Sequence, residues 1–550
     1  MNRRQFGVTS IAGMGSLLGQ TAKPLARPSA DQLAWQAMEL SMFVHFAPNT
    51  WQDREYDDLS TPLDKIQPNK LDTDQWVSVA KSMGAKQIIF VAKHTGGFCW
   101  WQTETSKYGA KELGWRGGKA DLMADLAKSC KRAGLKMGVY LSPQDRSQDV
   151  GLGGKAKTPE AQSKYDLVFR QQLTELLSKY GDMSEVWFDG SSVVDVGDIL
   201  KRHAPHAMIF QSKYATIRWV GNELGYAPNP AWNSVSNEAA ASGVATAKDG
   251  TPDGTIWLPN ECDARMRREW FWNTKNDESL KTVDQLMLMY YRSVGHGSLL
   301  LLNHTPDTTG AIPESDVKRA SEFGEEIRRR FEEPVAESKS TGRIVELRLP
   351  KVARIDHVVL MEDIRNGQRI KKYLVESFTS EGWKMLSRGT SIGHKKIDPF
   401  PAKEVARVRL RIEESIGDPM LLRFAVHAVG KGEGLAPIDS FQTHILRSWN
   451  PGSVKVGDDT WDLDITSRVE AAGQYELEFL STGGENRLSI DSVSLLHGGT
   501  DSPEFVRRVG RGPQFRVSIT GLGEILKLRV KVTVKDGTDT FGQVFLRQVE

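Results

Sequence analysis

From about residue 31 to 333, short apolar runs alternate with amphipathic stretches, and this alternation limits the possible folds more than any other feature. "LSMFVHFAP", "KQIIFVAKH", "LKMGVYLSP" and "SEVWFDG" read as strands. "DTDQWVSVAKSMG", "KADLMADLAKSCKRAG" and "PEAQSKYDLVFRQQLTELLSKYG" read as the helices between them, the first capped by Asp72 or Thr73 and stopped by Gly84. Further strands are expected at "AMIFQS", "IRWVGNELG", "TIWLPNECD" and "SLLLLN". Helices are expected around 195–203, at "VDQLMLMYYRSVG" and at "PESDVKRASEFGEEIRRRF". Strands apolar from end to end must be covered on both faces, which calls for a parallel sheet with helices outside it. Nearly eight such units predict an α/β fold, a (β/α)8-like TIM barrel over residues 31–333. A doubly wound open sheet would place a glycine-rich phosphate loop after its first strand, and none is there. "GLGGK" at 151–155 follows no clear strand and reads as a loop.

After Pro334 the pattern becomes all-β. "GRIVELRLP", "RIDHVVLME", "KKYLVESFT", "ARVRLRIEE" and "LLRFAVHAV" alternate with period two between turn residues, predicting a β-sandwich over 336–430. "GKGEGLAPIDS" at 430–440 reads as a linker, and the remainder, 441–550, as a second β-sandwich-like domain. Neither shows a stacked aromatic pair, so scaffolding is the expected role, and catalytic content is expected to be absent from the second.

The beginning of the chain, "MNRRQFGVTSIAGMGSLLGQTAKPLARP", is not read as fold. Arg3 and Arg4 precede Phe6, a modestly apolar stretch and small residues, the pattern of a twin-arginine export signal over residues 1–26. A periplasmic or secreted protein is therefore expected. No later apolar run reaches membrane-spanning length.

Composition serves mainly to exclude. A formal net charge of +2 gives no field to recruit nucleic acid. Three cysteines, Cys99, Cys130 and Cys262, rule out a disulfide framework and form no CxxC pair. A metal hydrolase of this fold would want two histidines after the first strand, and "VHF" offers only His45, so neither metal nor cofactor is expected. His203 and His206 flank a proline after a helix and read as surface residues.

In such barrels the chemistry sits at the C-terminal ends of the strands. Those ends carry His45, then Lys93 and His94, Ser142 with Asp145 behind it, Asp189, Glu223, Glu261 with Asp263, and Asn303. They are mixed with Trp51, Trp101, Trp187, Trp219, Trp257, Trp270 and Trp272. Carboxyls, imidazoles and indoles around one cavity suit glycoside cleavage, in which one carboxyl attacks or stabilises the anomeric carbon and another protonates the leaving oxygen. Asp189 suits the first role because a strand end holds it rigidly.

"MFVHFAPNTW", "VAKHTGGFCWWQT", "GVYLSPQDR", "EVWFDG", "RWVGNELG", "WLPNECDARMRREWFW" and "YYRSVGHGSLLLLN" occur in that order. Together they resemble the α-L-fucosidases of glycoside hydrolase family 29, in particular the α-1,3/4-fucosidase branch. The first sandwich, with "RIDHVVLMEDIRNGQRI", is also similar to that family's C-terminal domain. The resemblance implies a retaining exo-glycosidase that releases terminal L-fucose from a fucosylated oligosaccharide or glycan. It implies Asp189 as nucleophile and Glu223 as acid/base, with His45, His94, Glu55, Trp101, Tyr140, Glu261 and Trp270 binding substrate. Glu223 follows Asp189 by 34 residues, short for the branch, so Glu261 stays open as a rival acid/base. Three motifs depart from the family. Thr95 and Gly96 replace a histidine and an aspartate, Glu269 stands where glycine is usual, and "SVGHG" replaces SVGRN. Two further readings remain: an exo-glycosidase for a related sugar such as L-galactose, and a glycan-binding protein on an inactive barrel.

Overall fold

The computed structural model describes residues 25–236, 250–430, 443–450, 452–469, 472–483, 488–498, 504–509, 514–520, 525–535 and 537–548. Most of the export-signal segment and of the linker at 430–440 lies outside these residues.

Eight strands form one sheet: Leu40–Val44 (β1), Gln87–Lys93 (β2), Lys136–Leu141 (β3), Glu185–Trp187 (β4), Met208–Phe210 (β5), Arg218–Trp219 (β6), Asn260–Arg265 (β7) and Leu299–His304 (β8). Neighbours run β5-β4-β3-β2-β1-β8-β7-β6, and every pairing is parallel. The outermost strands meet through an isolated parallel bridge, Phe210 to Ile217, so the barrel is nearly closed.

The expected helices are present: Thr73–Met83 (α1), Leu122–Ala133 (α2), Pro159–Lys179 (α3), Gly197–His203 (α4), Val283–Arg292 (α5) and Glu314–Phe331 (α6). Their ends follow from the residues that flank them. The Asp72, Asp121 and Thr158 side chains each accept a backbone N–H of the first turn. Gly84, at φ 91°, and Gly134, at φ 70°, end α1 and α2 in the left-handed conformation that a side chain would oppose.

The alternation breaks after β5. No helix separates β5 from β6 or β6 from β7 among the described residues; a short antiparallel pair, Ser234–Val235 with Ile256–Trp257, lies in the second gap. "TIWLPNECD" is therefore not one strand. Its first half belongs to that pair, and the barrel strand begins at Asn260.

Apolar side chains fill the barrel on both sides of the sheet. Phe43, Ile89, Val91, Tyr140, Trp187, Phe210, Leu299 and Leu301 pack inside, closed from below by Trp35 and Met38. A larger shell holds the helices against the outer face. Burial on this scale, at roughly 25 cal/mol per Å² of apolar surface, is what keeps the strand ends rigid.

The region read as a first sandwich is a single six-stranded antiparallel sheet. Two of its strands, Ile344–Glu362 and Lys396–Ser415, are long and broken by register shifts. Such bulges bend a sheet and increase its twist, so one sheet encloses its own core. Val359, Ile397 and Ala425 join the barrel's outer shell, and the Tyr291 hydroxyl meets His357 Nε2 at 2.8 Å. Beyond it, a five-stranded and a four-stranded sheet share one core around Trp461, Leu477, Val530 and Leu546; this is a true sandwich.

Candidate active site

A cavity of about 130 Å³ opens at the C-terminal mouth of the barrel. That is the size class of a cavity that takes a single six-membered ring. Its wall holds Phe43, His45, Glu55, Tyr56, His94, Thr95, Tyr140, Trp187, Asp189, Phe210, Gln211, Trp219, Glu223, Asp263 and Trp270.

β4 delivers the first carboxyl. Glu185 and Trp187 face the barrel interior and Asp189 continues that face just past the strand end, accepting a hydrogen bond from the Tyr140 hydroxyl at 2.9 Å. Gly190, at φ 73°, turns the chain there, and a Cβ on it would lie 2.5 Å from Leu152 Cδ1. Asp189 is open to the cavity, yet the surrounding wall displaces enough water to raise its carboxyl, while the Tyr140 and Gly190 donors pull it back.

Glu223 comes from the loop after β6. Trp270 Nε1 donates to its Oε2 at 3.1 Å, and Arg265 Nη2 lies 3.3 Å from the same oxygen. Desolvation raises this carboxyl to about 7 against the pull of Arg265 and the indole N–H, with Asp189 adding to the rise. Glu55 is likewise raised to about 7, chiefly by desolvation, and accepts the Trp270 backbone N–H at 3.1 Å.

The histidines are fixed and neutral. His45 Nδ1 meets Asn303 Oδ1 at 2.8 Å, and Asn303 Nδ2 in turn donates to the Trp270 carbonyl at 2.9 Å. His94 stacks on Tyr140 with ring centres 5.9 Å apart. Burial lowers His94 to about 3 and holds His45 well below its ordinary value, so neither is charged at neutral pH and each offers one donor and one acceptor. Trp187 stacks on Phe210 at 3.5 Å, giving the cavity a flat aromatic floor.

Seven of the residues expected at the site line this cavity: Asp189, Glu223, His45, His94, Glu55, Tyr140 and Trp270. Trp101 does not. It is fully buried in the outer shell, and its Nε1 donates to Glu175 Oε2 at 2.8 Å on α3, because the segment after β2 turns away between strand and helix. Glu261 also lies outside the cavity. Since β7 starts at Asn260, Glu261 sits near the lower end of its strand, fully buried beside Glu185. Desolvation and the neighbouring Glu185 hold the Glu261 carboxyl well above its ordinary value. Glu185 accepts from Trp35 Nε1 at 2.7 Å, Gln87 Nε2 at 2.8 Å and Trp187 Nε1 at 2.8 Å. These three bonds tie Glu185 into the barrel beneath the cavity, whereas neither carboxyl oxygen of Glu261 has a hydrogen-bond partner among the described residues.

One strand period higher, Asp263 lines the cavity and accepts from Trp219 Nε1 at 2.5 Å. Two periods higher stands Arg265, on Glu223. Strand alternation alone would have placed Glu261, Asp263 and Arg265 on one face; the sequence reading took the wrong strand start and so the wrong layer. Gln211 was missed as well. It holds a left-handed backbone at φ 60° and its Oε1 accepts the Ser191 N–H at 3.0 Å, and no local motif announces this.

The departures from the family pattern now have places. Thr95 lines the cavity, its Oγ1 3.3 Å from His94 Nδ1. The space beside Gly96 is taken by Asp57: a Cβ at 96 would lie 2.3 Å from Asp57 Oδ2. Asp57 accepts from Gln52 Nε2 at 2.8 Å and from the Tyr108 hydroxyl at 2.8 Å, so a carboxylate from the first loop occupies that position. Glu269 staples its own loop by accepting from Asn273 and Asn276. His296 is buried against the Ala227 carbonyl. Lys93 and Asp145 form a fully buried pair at 3.1 Å behind the sheet, outside the cavity. Among the described residues no group of three His, Cys, Asp or Glu side chains is placed to hold a metal ion.

A mouth-of-barrel cavity with several carboxyls and an aromatic floor is shared by many sugar hydrolases. A sequence model described as Alpha-L-fucosidase matches residues 5–330. The chain belongs to the α-L-fucosidase family, glycoside hydrolase family 29. Alpha-L-fucosidase 1 of Arabidopsis thaliana is 31% identical over 467 residues, 76% of this chain and 90% of that protein. A crystal structure from Bacteroides thetaiotaomicron, 30% identical, matches 74% of this chain and 100% of its own with a TM-score of 0.70. A Ruminococcus gnavus family 29 fucosidase solved in complex with fucose is 28% identical, with a TM-score of 0.66 over 76% of this chain and 98% of its own. The protein is thus a glycoside hydrolase of the fucosidase family.

Proposed function

We propose that the protein releases terminal α-L-fucose from glycans by double displacement. Asp189 attacks the anomeric carbon and forms a covalent fucosyl-enzyme; Glu223 protonates the departing oxygen and then deprotonates the incoming water. The observation that carries this reading is that Asp189 and Glu223 line one ring-sized cavity. Their environments also differ in the needed sense. A carboxyl raised to about 7 keeps the proton a general acid must deliver, while Asp189 keeps the Tyr140 hydroxyl, which favours its ionised form. Neutral His45 and His94, with Glu55, supply donors and acceptors for ring hydroxyls. Phe43, Trp187 and Phe210 offer apolar surface for the C6 methyl, which favours fucose over L-galactose. The pair of carboxyls in the cavity favours turnover over simple glycan binding.

Proton NMR of the first-formed sugar is the test: the α-anomer is expected, and an initial β-anomer overturns retention. With Glu223→Ala, azide should restore turnover and yield a fucosyl azide of retained configuration. Rescue through Asp263→Ala instead would move the acid/base role there.

The proposal extends to export. Arg3 and Arg4 with the segment behind them support a twin-arginine route. Leu25 and Ala26, counted with the signal in the sequence reading of 1–26, pack against Gly367, which favours cleavage before Leu25 over cleavage after Ala26. N-terminal sequencing of the exported protein checks this, and a chain beginning with Met1 overturns it.

A further inference from the structure

Glu223 lies in a loop with a left-handed glycine on either side, Gly221 at φ 85° and Gly225 at φ 75°. Glycines at both ends make a loop easy to bend, so something must hold the carboxyl in place. Part of the answer is local. Asn222 is fully buried; its Oδ1 accepts the Leu224 N–H at 3.1 Å and its Nδ2 donates to the Tyr226 carbonyl at 2.9 Å.

The rest comes from more than three hundred residues away. Asn222 Nδ2 also donates to Gln543 Oε1 at 3.2 Å, and Gln543 Nε2 donates to the Val220 carbonyl at 3.2 Å. The same Nε2 reaches Ser448 Oγ at 3.2 Å within its own sheet. Gln543 stands on the strand Phe541–Gln548 of the five-stranded sheet, paired on both sides. Its neighbours Val544 and Leu546 enter the sandwich core, so alternation turns Gln543 to the opposite face. That face would be solvated in an isolated sandwich, yet Gln543 is fully buried, its amide engaged with the loop before Glu223. A buried amide is costly unless both its ends are satisfied, and here the loop satisfies them.

We propose that Gln543 is a positioning residue for Glu223, which makes the second sandwich part of the catalytic unit. By clamping Val220 and Asn222 it fixes the turn from which the Glu223 side chain projects. The inference rests on Glu223 being the acid/base of the preceding section.

The test uses the full-length enzyme and two α-L-fucosides, an activated aryl one and an alkyl one with a poor leaving group. Gln543→Met keeps the shape and removes the hydrogen bonds. Its kcat/KM on the alkyl fucoside should fall on the order of ten- to a hundredfold, and on the activated fucoside by less than about threefold, because only a poor leaving group needs a well-aimed proton. Asn222→Ala, which cuts the clamp from the barrel side, should show the same split, and the double variant should lose little more than either alone. Equal losses on both substrates for Gln543→Met and Asn222→Ala, or no loss, overturn the inference. If either variant does not fold, the other decides. Glu223→Gln is the control. Should it show no leaving-group dependence, the acid/base reading itself fails; should it show that dependence while the clamp variants do not, only the role of Gln543 fails.

Discussion

The two carboxyls proposed to carry the reaction are held in opposite ways. Asp189 stands two residues past the end of β4, a strand paired on both sides, with Trp187 beneath it stacked on Phe210 and its own carboxyl on the Tyr140 hydroxyl. Glu223 rides on a loop flanked by glycines and takes its aim from Trp270, Arg265 and the Asn222 turn. The contrast suits the two tasks. A nucleophile must meet one carbon at one distance, and a rigid strand does this with little entropy left to lose. An acid/base must serve first a leaving group and then a water, and a braced loop can be tuned in aim and acidity by residues outside the barrel.

The contrast can be broken most decisively at its rigid end. Asp189→Ala is expected to cost about four orders of magnitude or more in kcat on every fucoside, with azide restoring a product of inverted configuration. Turnover near the parent's would remove Asp189 from the chemistry. Next, Glu223→Gln should cost roughly a hundredfold or more on poor leaving groups and much less on activated ones, read from kcat/KM across an aryl fucoside series. Gly225→Ala sharpens the comparison. Its φ is 75° and the new Cβ would lie 3.2 Å from Ala264 Cβ, so the loop must shift. About tenfold is expected off kcat for an alkyl fucoside, with the circular dichroism spectrum unchanged.

A pH profile separates the two groups without mutation. Glu223 must be protonated to act as acid, and its carboxyl stands at about 7, so kcat/KM holds below that value and falls as pH rises through it, by about tenfold per unit. Asp189 must be ionised, and its carboxyl lies above the ordinary aspartate range, so the acid limb should begin above that range too. Glu223→Gln should abolish the alkaline limb and keep the acid one. The smallest effect concerns Trp101. Trp101→Phe removes its bond to Glu175 and part of a fully buried ring system, and should lower stability by about 2–3 kcal/mol in urea titration, with KM unchanged. A raised KM would return Trp101 to the substrate.

The sequence makes the barrel legible because its strands are continuous apolar runs and its helices carry caps at Asp72, Asp121 and Thr158. Both proposed catalytic carboxyls are legible too, since a charge at the end of an apolar strand or beside a glycine turn is conspicuous. What was illegible depends on knowing where a strand starts. Starting β7 at Thr255, five residues before Asn260, put Glu261 at the mouth together with Asp263 and left out Arg265. Trp101 misled for a related reason: an indole after a strand end can turn into the shell as easily as into the cavity. Gln543 could not be read at all, because a glutamine on an alternating strand looks solvated until a second body covers it.

The barrel's weakest seam is the bridge between Phe210 and Ile217, a single residue pair, where the other neighbouring strands are joined by two or more. Phe210 and Gln211 line the cavity from one lip of that seam and Trp219 from the other. Lengthening or shortening the chain between Gln211 and Ile217 sacrifices few backbone hydrogen bonds, provided that Gln211 keeps the Ser191 N–H and Phe210 its place on Trp187, the contacts that tie this lip to the Asp189 turn. For an engineer wishing to admit a bulkier sugar, this is the natural place to splice, and the natural place for evolution to have done so.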